Sequence, residues 1–96
     1  MKALFIPLNT EPYEAFKAGS KTIEWRIYGA RWNERTCTPG RPVILSKGYG
    51  KKHRLAGVVE GLSWYPITDP DHDFNRVFGE KAKGKTAAAI HIRVLP

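Results

Sequence analysis

A chain of 96 residues favours one compact domain and leaves no room for separate cofactor and substrate domains. A hydrophobic content of 42% argues against disorder, and 16 Lys and Arg against 9 Asp and Glu give a net charge of +7, which favours an anionic partner over a cationic one. The single cysteine, Cys37, excludes an internal disulfide, and no stretch approaches the roughly 20 apolar residues of a membrane span, so a soluble cytoplasmic protein with no membrane partner is expected.

The apolar run at 3–8 predicts a buried strand; it is too short for a signal-peptide core and is broken by Pro7. Asn9 or Thr10 can cap a helix, Glu11 and Pro12 suit its first turn, Tyr13 and Phe16 share one face, and Gly19 suits its C-terminal cap. Residues 21–28 alternate as a strand, with Ile23, Trp25 and Ile27 predicted to face the core and Thr22, Glu24, Arg26 and Tyr28 the opposite side. A loop over 29–42 carries Arg31, Trp32, Arg35 and Arg41. A short buried strand over 43–46 follows, then a Gly48-Tyr49-Gly50 turn and a basic tip of Lys51, Lys52, His53 and Arg54. Residues 55–62 predict a strand that Gly57 and Gly61 bend or bulge. A turn over 69–73, a short helix over 75–83 and a closing strand over 86–95 complete the chain. In the last, Ala88, Ile90, Ile92 and Val94 are expected inward, with His91 and Arg93 outward. About five to six short strands with one or two short helices imply an α+β, mostly-β fold: a strongly bent sheet or small barrel forming one domain over 1–96.

The densest chemistry lies where the first helix meets the second strand. Glu24 and Arg26, two apart, share a strand face, and Lys21 stands at the junction. Two cations can meet phosphate or carbonyl oxygens, while a carboxylate among them can accept from an exocyclic amine. The same three side chains can equally form a purely structural ion-pair group. Tyr49, Lys51, Lys52 and Arg54 add an aromatic and a basic tip suited to RNA. Trp32, Trp64 and Tyr65 are either further stacking faces or core residues.

The spacing Gly19-x-Lys21-x-x-Glu24-x-Arg26, directly after a short helix, resembles the signature of the ASCH domain, a PUA-like barrel. The Pro39-Gly40-Arg41-Pro42 turn before an apolar strand and the Gly57-Val58-Val59 run extend the resemblance to about residue 62. It implies a small PUA-like β-barrel with a cleft beside the motif that binds RNA, single-stranded nucleic acid or a modified nucleotide, with no cofactor. Some members that resemble this domain hydrolyse the acetyl amide of N4-acetylcytidine with the motif lysine and a threonine; others are reported as ribonucleases. Here Glu24 stands at the threonine's position. A carboxylate cannot be that hydroxyl nucleophile, although it can act as a base on water. The expectation is therefore a binding module, with a hydrolase using Lys21 and Glu24 as the alternative and a protein-interaction module as the third.

Two further patterns lack their structural context. Gly79 to Thr86 spells the Gly-x4-Gly-Lys-Thr of a phosphate-binding loop, but the residues after it read as a strand where the mechanism needs a helix. Asp69, Asp71, Asp73 and Glu80 mimic a calcium loop, but Phe74 stands where the sharp turn needs glycine. His53, His72, His91 and Cys37 show no metal-ligand spacing, so no metal site is expected, and Cys37 has no neighbouring base in sequence.

Overall fold

The apolar N-terminal run forms β1 (Leu4–Leu8), in which Leu4, Ile6 and Leu8 are buried and Phe5 and Pro7 half-buried. In this computed structural model every second side chain of β1 turns inward, and those are the large aliphatic ones. The structure describes residues 1–67 and 84–96. Helix α1 (Thr10–Ala18) starts immediately, with the Asn9 carbonyl accepting the Tyr13 N–H at 3.1 Å and the Asn9 side chain making no capping bond. Tyr13 and Phe16, three apart, are its buried residues. Gly19 ends it at φ 83°, a left-handed conformation that costs a glycine little, and the Gly19 and Ser20 amides close on the carbonyls of Phe16 and Ala15.

Four more strands follow: β2 (Ile23–Ile27), β3 (Pro42–Lys47), β4 (Arg54–Pro66) and β5 (Thr86–Val94). They form one five-stranded sheet in the order β1-β3-β4-β5-β2, with β1 parallel to β3 and every other pair antiparallel. The sheet curls into a half-barrel with the single described helix beside it, the small α+β, mostly-β architecture expected from the strand pattern. Strand β4 runs four residues beyond the predicted end at 62, because β5 pairs with it continuously as far as Pro66 opposite Thr86. Its register shifts between Val59 and Gly61, the bulge that the glycines foretold. Gly57 has a separate reason: a Cβ there would lie 3.0 Å from the Arg93 carbonyl oxygen and 3.2 Å from Ile92 Cγ2.

The core under the curl joins Ile6, Phe16, Val43, Leu45, Ile90 and Ile92, with the fully buried thiol of Cys37 among them. In β5 burial extends to both faces, since Ala87 and Ala89 are buried along with Ala88 and Ile90.

Strand β2 departs from its predicted facing. Glu24 is its only buried residue, while Ile23, Trp25 and Ile27 are half-buried. The face carrying Glu24, Arg26 and Tyr28 turns toward the inside of the curl, where Tyr28 packs on the main core. Trp25 and Ile27 instead pack on the outer side against Ile67 and Ala87. The alternation of β2 holds, but apolarity does not mark the face that the curl encloses, because a half-barrel wall has apolar cover on both sides.

The predicted turn over 69–73, the helix over 75–83 and the calcium-like pattern lie outside the described residues. Of the phosphate-loop pattern, Gly84 and Lys85 lead directly into β5, so a strand follows where that mechanism requires a helix. Among the described residues no helix is long and apolar enough to cross a membrane.

Candidate functional site

Strands β1 and β2 are the two edges of the sheet, and the curl brings them within reach of each other's side chains. Pro7 lies on β1, and a proline is tolerated there because an edge strand needs no donor on its free side. Its carbonyl accepts a hydrogen bond from Arg26 Nη2 at 2.7 Å, so the guanidinium of one edge strand ties down the backbone of the other.

Glu24 organises the rest. Its Oε2 accepts from Arg26 Nε at 3.1 Å and lies 2.9 Å from Arg26 Nη2, while its Oε1 lies 3.4 Å from Lys21 Nζ. Strand periodicity supplies the Glu24–Arg26 pair, and the left-handed Gly19 turn returns the chain so that Lys21 meets the carboxylate from the strand's start. The Lys21 ammonium also sits 5.5 Å from the centre of the Phe16 ring, and the Arg26 guanidinium 4.9 Å from that of Trp32. With Glu24 only 8% exposed, these are partly desolvated contacts rather than loose surface pairs.

The cluster forms one wall of a cleft of about 790 Å³. Pro7, Leu8 and Asn9 from the end of β1, and Glu11, Pro12 and Ala15 from α1, make the facing wall; Tyr49 stands at the rim. Lys21 and Arg26 keep donors for a ligand. Each side chain is about one quarter exposed, and Arg26 Nη1 has no protein partner among the described residues. The three motif side chains thus do two things at once: they pair with one another, and they line an open cleft.

The remaining predicted residues divide. Tyr49 is 81% exposed and its ring stacks on Phe5 at 6.2 Å. Arg54 lies over the other partner of that pair, 5.3 Å from the Phe5 ring centre, and its Nε donates to the Gly50 carbonyl. Lys51 and Lys52 are exposed on the bend beyond and do not line the cleft. Trp32 is buried, with the guanidinium groups of Arg26 and Arg31 4.9 and 5.3 Å from its ring centre, so its ring is not an open stacking face. Trp64 and Tyr65 are exposed. Cys37 is fully enclosed, and among the described residues no group of three His, Cys, Asp or Glu side chains is placed to hold a metal.

Sequence reading missed the Pro7 carbonyl and the α1 wall. A proline inside an otherwise apolar strand is an edge-strand signal, and it could have pointed to β1 as a lip of the cleft. It also missed the link between Tyr28 and Glu34, in which the tyrosine hydroxyl donates to the carboxylate. That bond holds Glu34 below the usual carboxylate range and pushes the Tyr28 hydroxyl above its ordinary value.

Comparison with protein-family models finds no match, and comparison with curated proteins finds none. Among solved structures, the chain is similar to the crystal structure of the hypothetical protein PH0355, with a TM-score of 0.66 and 23% identity over 95% of this chain and 97% of that one. That likeness shows the fold alone.

Proposed function

We propose that the chain is an ASCH-like, PUA-like module that binds RNA, single-stranded nucleic acid or a modified nucleotide in the cleft between β1, α1 and β2. The observation that carries this reading is the Lys21–Glu24–Arg26 cluster on the wall of an open cleft, with spare cationic donors directed by a carboxylate that is itself nearly buried. Lys21 and Arg26 meet phosphate or carbonyl oxygens, and Glu24 holds both cations in place and accepts from an amine. Tyr49 offers a ring face at the rim, and Lys51, Lys52 and Arg54 extend the positive field past it. A cytoplasmic location and an RNA partner belong to this reading.

Titration with short RNA at several salt concentrations tests it. Lys21→Ala and Arg26→Ala should each weaken binding, with a shallower salt dependence. Unchanged affinity in both variants removes the cleft from the function, and no binding even at low salt leaves a protein-interaction module.

The 3.4 Å approach of Lys21 to Glu24 supports a second reading, a hydrolase acting on RNA or on a modified nucleoside such as N4-acetylcytidine with Glu24 as base on water. Against it, both Glu24 oxygens already face cations. Time-dependent RNA cleavage or deacylation that disappears in Glu24→Gln would favour the hydrolase over the binder.

A further inference from the structure

The inner face of β2 continues past the cleft. Two residues beyond Arg26, Tyr28 lies on the same face, and its ring meets that of Trp64 at 6.1 Å, tilted by 52°. Trp64 is brought there by register: Trp64 on β4 pairs with Ala88 on β5, and Ala88 pairs with Arg26 on β2. Alanine at the middle position leaves the two large flanking side chains free of a bulky neighbour between them. Trp64 is nevertheless 57% exposed, an unusual position for the largest apolar side chain when it projects from the interior face of a sheet.

The sheet face that carries Trp64 also carries Arg26, one strand beyond Ala88. The loop after β2 places Arg31 5.3 Å from the Trp32 ring centre, on a ring that Arg26 also covers. Arg35 acts electrostatically on both Tyr28 and Glu34. The one acid of this loop, Glu34, is engaged by the Tyr28 hydroxyl. An exposed indole backed by a tyrosine, with a guanidinium on the same sheet face, suits a nucleobase next to a phosphate. It suits an acidic protein less well, because a protein interface would be expected to bury the neighbouring apolar groups too.

We propose that Trp64, backed by Tyr28 and aligned with Arg26 through Ala88, is a second base-stacking platform, so that the ligand is a single strand of several nucleotides and not a free nucleotide. Arg26 stands between the two places, since it lines the cleft and is aligned through Ala88 with Trp64. This inference rests on the cleft reading above and adds the length and strandedness of the ligand.

The test compares cytidine monophosphate with a series of unstructured pyrimidine RNA oligomers, from two to eight nucleotides, on the full chain and on Trp64→Ala, Trp64→Phe and Lys21→Ala. Affinity should rise with length over the first few nucleotides. Trp64→Ala should weaken the longer oligomers about ten-fold and leave the mononucleotide unchanged, Trp64→Phe should retain most of the affinity, and Lys21→Ala should weaken both ligands. Affinity independent of length, or an oligomer affinity unmoved by Trp64→Ala, overturns the second platform while a Lys21→Ala effect keeps the cleft. An oligomer that responds to Trp64→Ala but not to Lys21→Ala keeps the platform and overturns the cleft. Absence of binding by every ligand overturns both. Circular dichroism of each variant checks that the fold is intact.

Discussion

Strands β5 and β2 lie side by side and carry the same two-residue alternation, yet they are used differently. In β5, four consecutive residues from Ala87 to Ile90 are buried, because β4 and β2 flank it and both faces are covered. In β2, a carboxylate is the most buried side chain and the large apolar residues are only half-covered. The difference is one of position. A central strand is enclosed whatever it does, whereas an edge strand on a curled sheet has one free side, and here that side faces the other edge across a seam. A seam that lacks a backbone ladder must be held by side chains, and the Arg26 bond to the Pro7 carbonyl holds this one. The residues that hold the seam are also those that line the cleft.

The contrast can be broken most strongly in β5. Ile90→Ala removes a fully buried side chain and should cost about 2–5 kcal/mol in urea unfolding, because the enclosed strand cannot collapse around the cavity. A loss below 1 kcal/mol would mean that β5 is not the enclosed strand described. Glu24→Ala should cost less, about 2 kcal/mol, since Arg26 and Lys21 keep partial access to water when their carboxylate is lost. The same unfolding curves should show Arg26→Ala close to it, and their double variant well short of the sum, because the two residues form one unit. If the losses simply add, the seam is not held by a coupled cluster.

Lys21→Ala sharpens the comparison from the functional side. Its 3.4 Å pair is the longer contact of the cluster, so stability should fall by less than about 1 kcal/mol while affinity for short RNA falls about ten-fold. A larger effect on folding than on binding would make the lysine a structural member only. Tyr28→Phe should have the smallest effect, visible as a change in how stability depends on pH. Glu34 is held below its ordinary value of 4.5, so its contribution is present above that value and is lost as pH falls through the lowered one. Tyr28 is raised above 10.0, so its contribution is present below that value and is lost as pH rises through the raised one. Replacing the hydroxyl should flatten both limbs, and thermal unfolding across pH 3–11 would expose an unchanged profile.

Much of this arrangement is legible in the amino-acid order. The helix between Asn9 and Gly19 follows from a capping residue, a first-turn proline and a glycine stop, all of them local effects. The bulge between Val59 and Gly61 and the alternation of β2 and β5 are local too. The company of Lys21, Glu24 and Arg26 follows from strand periodicity plus a turn, so their grouping needed no knowledge of the rest of the chain. What periodicity cannot say is which face the sheet will enclose, since that depends on the direction of curl and on which strands become edges. For that reason alternation alone puts Glu24 on an open wall, whereas it is nearly buried, and leaves Trp32 open as a stacking face, whereas it is buried beside two arginines.

The strands, the helix and its ends and the grouping of Lys21, Glu24 and Arg26 thus depend on neighbours within a few residues, and the positive charge on composition alone. The meeting of Pro7 and Arg26 across 19 positions, the completion of the cleft by β1, α1 and Tyr49, and the place of Trp64 beside Tyr28 come from the folded sheet. Those contacts exist because a twisted five-stranded sheet curls until its two edges approach, and no local property of the chain specifies where they will touch.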